Sequence, residues 1–374
     1  MDLAYFVAPI AISTISALLA ALVSVTDKIV NNYGDVVVNI NDGSKELNVQ
    51  GGGNMLVTLA EEGIFIPSAC GGRGSCGECK VKVTSDVGPH LPTELPYLSQ
   101  QEIKDNVHLS CQVKLKADVD IEVPEYLFNI QQYEGTIEKI RDVTHDIKEV
   151  LIALPEDAEV NFRAGQYGQI EIPPYGQVKE KTSRAYSMAS SPNDRNHLEF
   201  LVRLVPGGIV TTYVHEHLQE GQKMNVVAPF GEFFVRDTDA QMICVAGGSG
   251  MAPFKGIFQY RIEQGLMDDR EIWYFFGART SKDMFYLDWL WELDDTYEKF
   301  HFVPALSEPE EGGEWRGETG LITDVMDKYL QDKISTDIEK EGYLCGSPGM
   351  LDACMDVMRK NNMAEEKIYF DKFA

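Results

Sequence analysis

The chain has 374 residues, 44% of them apolar and 10% aromatic, enough for more than one ordinary core. Its formal charge is -26, which excludes nucleic acid, whose phosphates need Lys and Arg, and disfavours peripheral binding to anionic lipid. Seven cysteines, an odd number with three in one loop, make a poor disulfide framework and a better metal site in a reducing compartment.

Residues 3–25 carry no charge and, as a helix, span roughly 35 Å, enough for a bilayer core. A secretory signal wants a basic start, and Asp2 stands there instead. A buried core helix is the other plain alternative. Lys28 is the first lysine, so the positive-inside rule places the body in the cytoplasm, on a single-pass anchor (residues 1–27) in the inner, cytoplasmic membrane.

A polar linker follows. Residues 35–43 alternate as a strand running into a turn, and residues 55–62 read as a helix. Strands are expected at 80–83 and 109–113. This first soluble unit, residues 34–126, is followed by many short strands and turn residues over 131–236, the signature of an antiparallel barrel. Over 239–374 strands alternate with helices, which implies an α/β parallel sheet; its strands are expected at 242–246, 272–276, 300–303 and 342–345.

The loop Cys70-Gly71-Gly72-Arg73-Gly74-Ser75-Cys76-Gly77-Glu78-Cys79, with Cys111 later, supplies the four thiolates of a 2Fe-2S cluster. The glycines let backbone N–H groups turn toward the sulfurs. Structural zinc is the alternative, but zinc sites favour two short Cys-x-x-Cys pairs. In the barrel region, Arg184 can pair with a diphosphate, Tyr186 can stack on a flat ring from the same strand face, and Ser187 offers a hydroxyl to a ring nitrogen. Gly207 and Gly208, with Thr211, open a helix whose N-terminus suits an anion. Gly247, Gly248 and Gly250 form a strand–turn–helix suited to a dinucleotide diphosphate, or a plain tight turn. Cys345 and Gly346 end a later strand, where parallel sheets bind ligands. Cys345 also reads as a small buried hydrophobe, as Cys244 and Cys354 do. The terminal Phe373 suits packing or the shielding of a ring.

In order along the chain, Arg-x-Tyr-Ser, Gly-Gly-x-x-Thr, Gly-Gly-x-Gly-x-x-Pro and Cys-Gly-x-Pro-x-Met resemble the ferredoxin-NADP reductase superfamily. With the N-terminal helix and the cysteine loop, the chain resembles the F subunits of sodium-translocating NADH:quinone oxidoreductases. Ser68-Ala69-Cys70, Leu91-Pro92-Thr93-Glu94-Leu95, Arg184 to Ala189 and Pro229-Phe230-Gly231-Glu232-Phe233-Phe234 carry the match. It extends to the Cys-x5-Cys gap; the short connection between Gly165 and Arg184 departs from it.

The resemblance implies a multidomain fold: transmembrane helix, α+β β-grasp ferredoxin, FAD barrel and NAD domain. It implies FAD on Arg184, Tyr186 and Ser187, with Gly207, Gly208 and Thr211 near its diphosphate. The nucleotide would face Gly248, Gly250 and Cys345, and Phe373 would cover the flavin; Ser187, Cys345 and Phe373 are the expected catalytic residues. Electrons would run from NADH to FAD to 2Fe-2S and on to other membrane subunits, with quinone reached through them. A reductase component of an oxygenase and a non-catalytic electron-transfer protein are the rival readings.

Overall fold

The computed structural model describes residues 4–30, 33–310 and 315–372. The chain forms two compact units, Met1–Ile66 with Gly72–Asn129, and Pro67–Gly71 with Ile130–Ala374.

The first unit opens with α1 (Ala4–Val30). Its described side chains, residues 12–26, are all exposed, among them Ile12, Ile15, Leu18, Leu19, Leu22 and Val23. Among the described residues no helix is long and apolar enough to cross a membrane. β1 (Asp35–Ile40) and β2 (Lys45–Gln50) form a hairpin whose turn residues Asn41 and Asp42 take positive φ. Strand alternation sends Val36, Val38 and Ile40 to one buried face. α2 (Met55–Glu61), capped by the Asn54 side chain, contributes Met55, Leu56 and Leu59 to the core. β3 (Lys80–Val83), α3 (Gln100–Lys104), β4 (Val107–Leu109) and β5 (Val119–Glu122) complete a sheet of order β2-β1-β5-β3-β4. β5 runs parallel to β1, and the mixed sheet with its short helices is the expected α+β arrangement. The strand expected at 109–113 is corrected: β4 ends at Leu109. The chain then turns, with Gln112 N–H donating to the Leu109 carbonyl and Val113 N–H to that of Ser110.

In the second unit, β6 (Gln131–Asp142), β7 (Ile147–Ala153), β8 (Tyr167–Ile172), β9 (Thr182–Ser187), β10 (His197–Arg203) and β11 (Lys223–Phe230) make an antiparallel sheet of order β10-β7-β6-β11-β8-β9. The expected barrel is only partly closed: its edge strands meet through the single bridge Met188–Phe200. α4 (Ile209–Glu216) buries Val210, Tyr213 and Val214 in the core inside this sheet.

A parallel sheet follows, of order β15-β14-β13-β12-β16-β17. Its strands are β12 (Gln241–Gly247), β13 (Ile272–Ala278), β14 (Phe300–Leu306), β15 (Glu318–Thr319), β16 (Lys340–Gly346) and β17 (Ile368–Lys372). α5 (Met251–Glu263) and α6 (Leu287–Thr296) cover one face; α7 (Ile322–Asp332) and α8 (Pro348–Lys360) cover the other. Alternation along β12 divides its side chains between the two layers. Met242, Cys244 and Ala246 join Phe254 and Phe258 of α5; Ile243 and Val245 join Met326, Leu351 and Cys354. Each fully buried Val, Ile, Leu, Phe or Met among them contributes roughly 1.5–3 kcal/mol before entropy is counted.

Candidate functional site

β9 pairs with β8 in a register that sets Arg184 opposite Ile170 and Tyr186 opposite Gly168. Alternation puts Arg184 and Tyr186 on one face and Ser187 on the other. Arg184 Nη1 donates to the Ser183 carbonyl at 2.6 Å. Burial pushes the Tyr186 phenol well above its ordinary range, so it stays a hydroxyl. Gly207 turns with φ +73°, and Gly208 caps α4 without a side chain, leaving the helix N-terminus open to an anion. Thr211 Oγ1 accepts from Val205 N–H at 3.2 Å and donates to the Val205 carbonyl, so it holds the 205–208 turn in place.

The two Gly-rich turns of the parallel sheet converge. Ala246 and Cys345 are register partners on β12 and β16. A methyl on Gly250 would fall on the Cys345 carbonyl, one on Gly247 would lie 2.9 Å from Met350 Sδ, and one on Gly346 would lie 2.7 Å from Met350 Cε. These three glycines let the turns pack on each other. Gly248 differs: it turns with φ +56°, and its Cα has open space, the nearest atom to an added methyl being Arg203 Nη1 at 3.6 Å.

Sequence reasoning missed Asp371. β17 adds to the sheet beside β16 and places Asp371 in register with Cys345. The Ser187 hydroxyl, buried at the end of β9, donates to Asp371 Oδ2 at 2.9 Å and also reaches the Cys345 thiol. Burial, then the Asp371 charge, push the Cys345 thiol far up, so it remains protonated. The short run of β-branched and aromatic residues Ile368-Tyr369-Phe370 was the available signal for β17. Phe373 lies outside the described residues.

In the first unit the cysteine loop turns on Gly72, Gly74 and Gly77, all with positive φ. A methyl at Gly74 would come within 2.7 Å of Gln112 Nε2, and one at Gly77 within 2.6 Å of the Tyr97 ring. Cys79 precedes β3 and Cys111 follows β4; their pairing, with Ser110 N–H donating to the Cys79 carbonyl at 2.7 Å, brings the two buried thiols into a hydrogen bond. That bond and burial push the Cys79 thiol up. Gln112 Nε2 lies 3.4 Å from Cys111 Sγ, and the Asn54 amide donates to the Cys111 carbonyl. Cys76 is partly exposed on the same loop, and Cys70 falls in the stretch Pro67–Gly71 grouped with the second unit. Among the described residues no three His, Cys, Asp or Glu side chains stand in metal-holding proximity. The donors are of the kind an iron–sulfur cluster takes: Cys79 and Cys111 lie buried at the ends of the paired strands β3 and β4, next to a loop that turns on positive-φ glycines.

Three family models match. The 2Fe-2S iron-sulfur cluster binding domain covers residues 38–116, the oxidoreductase FAD-binding domain 134–235 and the oxidoreductase NAD-binding domain 244–356. The F subunit of the Na(+)-translocating NADH-quinone reductase of Neisseria meningitidis serogroup C (strain FAM18) is 37% identical, over 91% of this chain and 92% of its own. The protein of the same name in Marinomonas sp. (strain MWYL1) is 36% identical, over 96% and 95%. Among solved structures, the Amycolatopsis cytochrome P450 reductase GcoB superposes with a TM-score of 0.71 at 26% identity, over 90% of this chain and 98% of that one. The ferredoxin reductase in carbazole 1,9a-dioxygenase gives 0.68 at 28%, over 91% and 99%.

Proposed function

The chain belongs to the F subunits of the Na(+)-translocating NADH-quinone reductases, and from that premise we propose how its residues divide the work. It is an NADH-oxidising flavin and iron–sulfur enzyme in which electrons pass from NADH to FAD to the 2Fe-2S cluster. FAD, when bound, converts a two-electron hydride into single electrons, and the cluster carries them singly.

The observation that carries the site reading is the Ser187–Asp371 hydrogen bond beside Cys345, at the carboxyl ends of β16 and β17. Arg184 binds the flavin diphosphate with the open N-terminus of α4, and Gly207 and Gly208 let it approach. Tyr186 stacks on the flavin. Ser187 keeps one proton at Oγ, donated to Asp371 here and available to a ring nitrogen that would compete for it. Gly248 leaves room for the NADH diphosphate, while Gly247, Gly250 and Gly346 hold the two turns together. Cys345, buried and kept protonated beside Ser187 and Asp371, would offer the nicotinamide end an uncharged neighbour. Cys70, Cys76, Cys79 and Cys111 are the iron ligands.

We further propose that α1 is a single-pass anchor in the inner membrane, with the domains in the cytoplasm and electrons leaving to other membrane subunits on the way to quinone. The uncharged run 3–25 and the exposed apolar side chains of α1 support this. Anaerobic mixing with NADH tests the reading: the flavin bleaches first and the cluster follows. A cluster reduced without prior bleaching of the flavin would overturn it.

A further inference from the structure

We propose that Glu308 is the residue by which this chain selects NADH over NADPH. The inference rests on the nucleotide site proposed above and concerns its ribose end. In a parallel nucleotide-binding sheet, the strand after the Gly-rich turn brings its carboxyl end to the adenosine ribose. There an acid accepts the 2′-hydroxyl of NAD, or an arginine takes the 2′-phosphate of NADP. Here that strand is β13, and the next residue is Arg279, with Lys282 three further on. By residue type alone they form a phosphate site. The structure gives Arg279 another partner. Its Nη2 lies 3.0 Å from Oε2 and 3.3 Å from Oε1 of Glu308, and its Nε lies 3.4 Å from Oε1. Glu308 is held by its own backbone, its N–H donating to the Arg279 carbonyl at 2.8 Å.

The surroundings repeat the pattern. Lys282 Nζ lies 3.9 Å from Glu310 Oε1, and the Asp283 carboxylate caps Thr280, accepting its N–H at 2.9 Å and its hydroxyl at 2.8 Å. Two cations therefore face three carboxylates. A 2′-phosphate brings a charge near -2 and must displace Glu308 from Arg279 while remaining beside it. A 2′-hydroxyl displaces nothing and donates to the same carboxylate. The pair thus rejects the phosphate by like charge and accepts the hydroxyl by hydrogen bond. Both side chains are exposed, so the rejection weakens as salt rises.

The test uses the full-length holoprotein in mild detergent. Glu308→Gln should raise the ratio of kcat/KM for NADPH to that for NADH by roughly tenfold or more, because the freed Arg279 meets the phosphate without a competing charge. Adding Arg279→Ala should cancel that gain. A second readout is binding: calorimetry with adenosine 2′,5′-bisphosphate and 5′-AMP on the flavin-loaded protein should show the same change in preference. A Glu308→Gln ratio within twofold of the parent in both measurements, or a gain that survives Arg279→Ala, would overturn the proposal. Failure of the parent to bind 5′-AMP at all would instead remove the nucleotide site on which it rests.

Discussion

Ser187 and Asp371, 184 residues apart in the chain, meet in a 2.9 Å hydrogen bond that joins the end of a barrel strand to the last strand of the parallel sheet. Ser187 has one proton to give, so Asp371 decides where the hydroxyl aims when a ring nitrogen competes for it. Asp371→Ala should slow flavin reduction by NADH at least about tenfold while flavin content stays at the parent's level. Asp371→Glu should restore part of the rate. A stopped-flow trace of Asp371→Ala that superimposes on the parent's would reduce Asp371 to a fold contact.

Cys345 sits in the same group but should give no thiolate chemistry. Its ordinary value of 9.0 is raised by burial and by Asp371. Below pH 9 the thiol is neutral in both folded and unfolded chains and exerts no pH effect. Above it, the unfolded chain ionises first, so the folded state loses stability as pH rises. Native protein at pH 8 should resist alkylation at Cys345, while the urea-unfolded chain reacts. Mass spectrometry of the labelled peptide reads this directly, and rapid labelling of native Cys345 would count against the protonated thiol.

Local signals in this chain are legible in its sequence, and long-range ones are not. Glycine spacing and strand alternation located the turns after β12 and β16, because those patterns are set by neighbours in the chain. Which glycine does what was not legible: Gly250 and Gly346 read as ligand-facing, whereas their missing side chains make room for Cys345 and Met350. Asp371 was invisible because its meaning comes from register with Cys345 and from a partner in another sheet. The turn at 110–112 broke an expected strand because Cys111 must swing back toward Cys79, a demand that β-propensity does not encode.

The cysteine loop makes a modular expectation. Changing Cys70, Cys76, Cys79 or Cys111 to Ala should abolish the cluster's visible absorption and its reduced-state paramagnetic signal, while FAD remains bound and NADH still bleaches it. Loss of flavin together with the cluster in every variant would show that the two sites do not assemble independently.

Glu102 ties the segment behind that loop. Its carboxylate accepts from Lys80 Nζ and from Ser99 N–H, each at 2.7 Å, closing a capping box on α3. The Lys80 hydrogen bond, then the Ser99 N–H, hold it down to about 2. Because the folded value is depressed, this stabilisation is present above the ordinary value of 4.5 and is lost as pH falls from there toward 2. Glu102→Gln should cost about 1 kcal/mol at neutral pH and flatten the acid dependence over that window. Chemical denaturation at pH 7 and pH 3 checks both. An equal acid loss in parent and variant would remove Glu102 from the account.

Deleting residues 1–26 separates anchoring from chemistry. The truncated protein should leave the membrane fraction and still reduce ferricyanide with NADH at the parent's rate. Retention in the membrane pellet would mean that another segment holds it there.

Gly248 and Gly250 should respond differently to the same methyl group. Gly250 has an ordinary φ of -61°, so the backbone accepts alanine, but the methyl would fall on the Cys345 carbonyl. The Ala246–Cys345 register fixes both strands, and the strain must go into the 247–250 turn or the start of α5. Gly250→Ala should therefore cost about 1–3 kcal/mol of stability and weaken nucleotide binding together. Gly248 has the opposite character, a strained φ of +56° with room around it. Gly248→Ala should cost about 1 kcal/mol from the backbone and put a methyl where the NADH diphosphate approaches, so affinity falls more than stability does. Denaturation midpoints beside NADH dissociation constants, measured for both variants, separate the two roles. If Gly248→Ala binds NADH as tightly as the parent, the diphosphate does not pass over that turn.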